Sequence, residues 1–267
     1  MRIGIIGGGF MGEAFLRGVL RAEVAAPGDI AVAEISSARR TALSGHGVRV
    51  TDDPQSACIG ADVVLLAVKP QDLEGAGGDL RGGIPASAVV VSIAAGVPLD
   101  AIERSTGHRA CVRVMPNLPA AIGEGAAVFL ASSGVSEAQR RHVRAILEGV
   151  ATAVVEVDDD EAVDLATALH GSGPAYVYLL IEALVDSAVR LGMKRPDALK
   201  LVLATVAGSA RYAIETGTHP TELRNAVTSP GGTTAAALSE LEAAGLRAAI
   251  DDAVQAAFDR AQELGES

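Results

Sequence analysis

At 267 residues the chain is long for one nucleotide-binding unit and points to two domains. Hydrophobic residues make up 49% and mean hydropathy is +0.32, ample for packed cores. Aromatics are only 3% and tryptophan is absent, so the interior must be built from Ala, Val, Leu and Ile, and a net charge of −11 argues against nucleic acid or an anionic membrane as partner. Any phosphate site must therefore be local. The two cysteines, Cys58 and Cys111, have no metal-ligand spacing and suggest a reducing compartment. A strand expected from Ile3 leaves no room for a signal peptide, and no apolar run is long enough to span a bilayer, so a cytoplasmic protein is expected.

In chain order, Ile3 to Ile6 reads as a short buried strand, and Gly7-x-Gly9-x-x-Gly12 follows at once. Beyond it Phe15, Leu16, Val19 and Leu20 fall on one helical face, with Arg17 and Arg21 turned away. Strand, three glycines at this spacing, then helix is the context a dinucleotide-binding fingerprint requires. Gly7 permits the tight turn, Gly9 lets backbone approach a pyrophosphate, and Gly12 lets helix and strand pack closely. A second strand, Ile30–Ala33, ends at Glu34, where an acidic residue usually grips the adenosine ribose hydroxyls. Ser36, Ser37, Arg39 and Arg40 lie just beyond, and hydroxyls with an arginine fork suit a ribose 2′-phosphate better. Ser36 equally suits a helix cap. The cofactor reading leans to NADP(H) and leaves NAD(H) open.

Val48–Thr51, Val63–Val68, Val89–Ile93, Cys111–Met115, Ala126–Leu130 and Ala153–Val157 read as further strands. Val63–Val68 is apolar without alternation, as a central parallel strand should be, and runs into Lys69, which should point toward the cofactor cleft. Small residues from Ala94 to Gly96 leave room for a flat ring or form an ordinary turn. The acidic run Asp158-Asp-Asp160 precedes a helix start, where carboxylates favour the positive dipole end, so no metal site is expected. It sets the expected domain boundary: a dinucleotide-binding domain over 1–158 and a helical domain over 159–267.

After residue 160 strand patterns disappear. Gly171-Ser-Gly173 is expected to interrupt a helix over Glu161–Leu169 before Pro174 starts another. The helix Pro174–Leu191 is apolar except for a strip of Glu182, Asp186 and Arg190, and a helix of this kind needs cover on most sides. A partner chain is the natural cover. A helix from Pro196 to Gly217 and two more over 234–244 and 246–264 complete the chain. Between them Thr228-Ser-Pro-Gly-Gly-Thr-Thr234 leads into a helix, so free backbone N–H groups converge there. Without P-loop spacing or a following lysine it suits a single carboxylate, while a plain N-cap by Thr233 explains it equally well.

Gly7–Gly12, Ala67-Val-Lys-Pro70, Met115-Pro-Asn117, Gly171-Ser-Gly-Pro-Ala-Tyr176 and Thr228–Thr234 come in the order found in pyrroline-5-carboxylate reductases, which the whole chain resembles. The resemblance implies reduction of L-1-pyrroline-5-carboxylate by NAD(P)H, on an α/β Rossmann-type domain followed by an all-α dimerisation domain. It implies homodimers that often assemble into decamers. Residue by residue, it implies that Gly7, Gly8, Gly9, Phe10, Met11, Gly12, Ser36, Arg39, Ala67, Val68, Lys69, Pro70, Ala94 and Asn117 bind cofactor. Ser229, Gly231, Gly232 and Thr233 would hold the substrate carboxylate, and Thr234 Oγ the ring nitrogen, as the catalytic contact. His170 departs from the family, which usually has Ser there. A β-hydroxyacid dehydrogenase shares the fingerprint and a helical second domain, but its catalytic lysine has no counterpart near Gly171–Pro174 among Lys69, Lys194 and Lys200. A non-catalytic nucleotide sensor on the same fold is the other alternative.

Overall fold

The computed structural model describes residues 1–266. Among them, one eight-stranded sheet comprises β1 (Ile3–Ile6), β2 (Ile30–Ala33), β3 (Arg49–Thr51), β4 (Val63–Leu66), β5 (Val89–Ser92), β6 (Cys111–Pro116), β7 (Gly125–Ala131) and β8 (Ala151–Glu156). The strand order is β3-β2-β1-β4-β5-β6-β7-β8, and β1 through β6 pair in parallel. β7 runs antiparallel to β6 and parallel to β8, a reversal that strand patterns alone do not carry. Chain order reverses between β1 and β4, the switch point where open α/β sheets leave a crevice at their carboxyl ends.

Period-two alternation divides each central strand between two cores. In β4, Val63 and Leu65 join one core with Phe15, Leu16 and Val19 of α1 (Phe10–Arg21) and Val143, Ile146 and Leu147 of α6 (Glu137–Glu148). Val64 and Leu66 join the opposite core with residues of α3 (Pro54–Cys58), α4 (Leu73–Leu80) and α5 (Leu99–Thr106). Both faces being covered, β4 is buried at every position, which is why its sequence lacks alternation. α2 (Ser37–Ser44) follows β2, is capped by Ser36 and places Leu43 in the first core with α1 and α6. Cys58 and Cys111 are free thiols in the second core. Burial is the chief cause that pushes both thiols up to about 12; Asp53 adds to it at Cys58, while at Cys111 a contact with the Thr106 hydroxyl opposes it and Glu103 adds to it.

By Cα packing the chain forms two compact units, Met1–Ser172 with Ala257–Ser267, and Gly173–Ala256. By packing, residues 159–172 thus stay with the sheet-bearing unit. The reason is a buried ion pair: Arg113 on β6 reaches Asp160 and Asp164 at 2.5 Å each and ties α7 (Asp160–Ala166) to the sheet. Asp159 caps α7 by accepting from the Ala162 N–H, so the acidic run serves a helix start and an arginine.

Gly171-Ser-Gly173 does not break the helix as expected. α7 widens into a five-residue π turn, Thr167–Gly171, in which the Ser172 N–H reaches back to the Thr167 carbonyl, and α8 (Gly173–Arg190) continues. In the second unit α8 packs on α9 (Arg195–Thr216), which ends at Gly217 in the left-handed conformation. α10 (Pro220–Ala226), not anticipated from the sequence, leads to α11 (Thr233–Ala243) and α12 (Leu246–Glu266). Only Val185 of α8 is buried; Leu179, Leu180 and Leu184 are 67%, 50% and 43% exposed, so this chain alone does not cover its most apolar helix.

Candidate active site

The loop from β1 into α1 is fixed by its glycines. Gly7 has φ +100°, and a Cβ there would stand 2.6 Å from the Ala67 carbonyl oxygen. A Cβ on Gly12 would stand 2.0 Å from the Gly7 oxygen, so neither position accepts another residue without backbone movement. Gly9 differs: its φ is −66° and a Cβ would meet nothing within 4 Å. The space above Gly9 is open, and Gly9 caps α1 with no side chain on the first-turn N–H groups. Those of Phe10 and Met11 have no helical acceptor. A cradle of free N–H groups under open space, at the positive end of a helix, fits a dinucleotide pyrophosphate. Phe10 itself is 61% exposed.

Beside the loop the side chains are arranged differently from the expected fork. Arg39 does not stand free: its Nε donates to the Gly8 carbonyl at 3.1 Å, its Nη2 also contacts that oxygen, and Nη2 pairs with Glu13 Oε2 at 2.8 Å. Arg40 is held by the carbonyls of Glu34 and Ile35. Glu34 accepts from the Gly8 N–H at 2.9 Å and the Ser36 N–H at 2.8 Å. Ser36 is the N-cap of α2, its hydroxyl accepting weakly from the Arg39 N–H at 3.4 Å. Glu13, which the sequence reading passed over, is the hub: its Oε1 takes Arg17 at 2.6 Å and His46 Nε2 at 3.4 Å. Burial pushes its carboxyl up, but hydrogen bonds from Arg39, Arg17 and His46 outweigh this and hold it below the usual value. A carboxylate in the first turn after the third glycine was the available signal, since the helix dipole favours it there.

At the carboxyl ends of β4 to β6, the Ala67 N–H extends the ladder to the Ile6 carbonyl, and Val68 is packed against the second core. Lys69 and Pro70 open a short 3-10 turn and are exposed. Ala94 is 3% exposed and belongs to the second core, while the neighbouring Ala95 is exposed. The Asn117 amide is likewise engaged, donating to the His170 carbonyl at 3.2 Å and accepting from the Ala126 N–H at 2.9 Å. His170 in turn bridges the Ala166 and Met115 carbonyls and so ties the π turn to the end of β6.

In the second unit Gly231 adopts φ +70°, and Gly232, not Thr233, is the N-cap of α11, without a side-chain cap bond. The Gly232 N–H closes the turn on the Ser229 carbonyl at 3.0 Å, and a Cβ on Gly232 would lie 2.5 Å from Ser229 Oγ. The Thr228 hydroxyl donates to the Arg224 carbonyl at 2.6 Å. Ser229, Gly231 and Thr233 are exposed, Thr234 is half-buried, and the α11 N–H groups are left without a capping side chain. An exposed, uncapped helix start with hydroxyls on both sides accepts a carboxylate without displacing a protein group.

Known proteins match the two parts of the chain. A family model described as pyrroline-5-carboxylate reductase dimerisation matches residues 160–264, and one described as NADP oxidoreductase, coenzyme F420-dependent, matches residues 2–96. The pyrroline-5-carboxylate reductase of Synechocystis is 44% identical over 99% of this chain and 98% of its own length. That of Arabidopsis thaliana is 40% identical over 100% and 96%. Among solved structures, a pyrroline-5-carboxylate reductase from Coxiella burnetii superposes with a TM-score of 0.92 at 35% identity, covering 100% of this chain and 99% of that one. The Plasmodium falciparum pyrroline carboxylate reductase, solved with NADP bound, gives 0.88 at 28% identity, covering 99% and 98%. The chain belongs to the pyrroline-5-carboxylate reductase family.

Proposed function

We propose that this chain reduces L-1-pyrroline-5-carboxylate to L-proline, the last step of proline biosynthesis, with NADPH as preferred donor and NADH also accepted. The observation that carries this reading is the 44% identity to a pyrroline-5-carboxylate reductase across 99% of the chain. When bound, the nicotinamide cofactor supplies the hydride. The protein's own task is chiefly positioning, because the protonated C=N group is already electrophilic. The C5–H bond forms, the π pair of the C=N bond moves onto nitrogen as the amine lone pair, and nitrogen keeps its proton.

Gly7, Gly8, Gly9, Phe10, Met11 and Gly12 receive the pyrophosphate, supported by the open space above Gly9. Ser36 and Arg39 flank the adenosine ribose, and Ala67, Val68, Lys69 and Pro70 form the neighbouring strand end. Ala94 and Asn117 contribute by shaping their loops, since one is buried and the other is bonded to backbone. On the second unit Ser229, Gly231, Gly232 and Thr233 hold the substrate carboxylate, and Thr234 Oγ hydrogen-bonds the ring nitrogen. The protein works as a cytoplasmic homodimer, with decamers built from those dimers. Loss of absorbance at 340 nm on adding pyrroline-5-carboxylate to protein and NADPH tests the reading directly. Turnover with a β-hydroxyacid instead would replace it.

A further inference from the structure

Resting on the reading above, we propose that Glu13 tunes the choice between NADPH and NADH by holding Arg39 on the glycine loop. Glu13 is a positioning residue: it lies outside the glycine cradle and acts through the guanidinium beside it. Arg39 makes three contacts with its Nε and Nη2 edge, two to the Gly8 carbonyl and one to Glu13 Oε2. Its side chain is 39% exposed while that of Glu13 is 18% exposed, so the arginine is the partner that reaches solvent. Glu13 is itself fixed from the far side, with Arg17 and His46 on Oε1, and cannot follow Arg39 outward without breaking those contacts.

Two consequences follow for a cofactor that differs only by a ribose 2′-phosphate. The phosphate must compete with Glu13 for one guanidinium, and it meets the carboxylate's own negative charge. Glu34 already accepts the two backbone donors nearest that position and Arg40 is held by the Glu34 and Ile35 carbonyls, so Arg39 is the cation at the glycine loop for a 2′-phosphate. NADH carries no group that makes this demand. Repulsion between Glu13 and the pyrophosphate is common to both cofactors and cancels in their ratio. Glu13 therefore restrains preference for NADPH, and its removal frees Arg39 for the phosphate.

The test is fluorescence titration of NADPH and NADH with the full-length protein, which needs no turnover. Glu13→Gln is expected to raise the ratio Kd(NADH)/Kd(NADPH) by at least about threefold, with NADH affinity changed by less than about twofold. In an Arg39→Ala background the same substitution should raise the ratio by much less, since only direct repulsion of the phosphate remains. If Glu13→Gln melts below the working temperature, Glu13→Asp, which draws the carboxylate back from Arg39, should move the ratio in the same direction. An unchanged or falling ratio, or an equal rise without Arg39, overturns the proposal. Wild-type protein that binds neither dinucleotide would remove the cofactor reading itself, a failure distinct from a ratio that does not move.

Discussion

Gly9 and Thr234 are the residues at which a ligand-binding role and a structural one separate most cleanly. Gly9→Ala meets no protein atom and keeps an allowed φ, so its stability should stay within about 1 kcal/mol of wild type, while NADPH affinity falls at least about tenfold. Unchanged affinity by fluorescence titration would mean that no phosphate occupies that space. Thr234 is the second helical residue of α11 and supplies no cap, so Thr234→Val should barely move a melting curve. Its kcat/KM for pyrroline-5-carboxylate should fall by about 1.5–3 kcal/mol, roughly ten- to hundredfold, and Thr234→Ser should recover most of the loss. Wild-type turnover in the valine variant would reduce Thr234 to packing. Glu13 adds a pH prediction. Its folded carboxyl lies below the usual value, so its contribution is complete above the unfolded value of about 4.3 and is lost as pH falls through the folded one. The Tm gap between wild type and Glu13→Gln should accordingly be constant at neutral pH and close as the solution is acidified. The glycine roles were legible in the sequence because they are demands of the backbone at fixed spacing. The partners of Arg39 and Asn117 were not, because those side chains find their acceptors across 26 and 53 residues of chain.

At the scale of elements, the ties between β6 and α7 place the π turn. Arg113 is 2% exposed with both carboxylates on α7, so Asp164→Asn leaves a buried guanidinium with one charged partner. Unfolding in urea at neutral pH should show a loss of roughly 3 kcal/mol, near the lower limit for a broken buried pair because Asp160 remains. A loss below about 1 kcal/mol would mean that the pair is not what holds α7 to the sheet. The strands from β1 to β6 could be read from apolar runs bounded by turns, and their parallel order from the alternation with helices. The antiparallel β7 could not, since Gly125–Ala131 carries the same apolar composition in either direction. Nor could the π turn: a glycine–serine–glycine run ordinarily signals a break, whereas here α7 relaxes by one residue and Gly171 admits the Met115 side chain, whose Cε a Cβ would meet at 2.6 Å.

For the whole molecule, the proposed homodimer rests on the exposed apolar face of α8 and on the match of residues 160–264 to a dimerisation model. Leu180→Glu or Leu184→Glu should abolish the folded dimer instead of releasing a soluble monomer, because an obligate interface resembles a domain core cut in half. Light scattering that finds wild type monomeric and folded at micromolar concentration would contradict this. The apolar helix behind the proposed interface was visible in the sequence; its partial cover by α9 was not, because helix contacts depend on how the chain returns. The central claim is hydride transfer to the imine carbon. The measurement is the mass spectrum of proline formed from pyrroline-5-carboxylate and NADPH carrying deuterium at both C4 positions of the nicotinamide. One deuterium at C5 of proline for each NADPH oxidised is the predicted result; NADPH loss without labelled proline would contradict it.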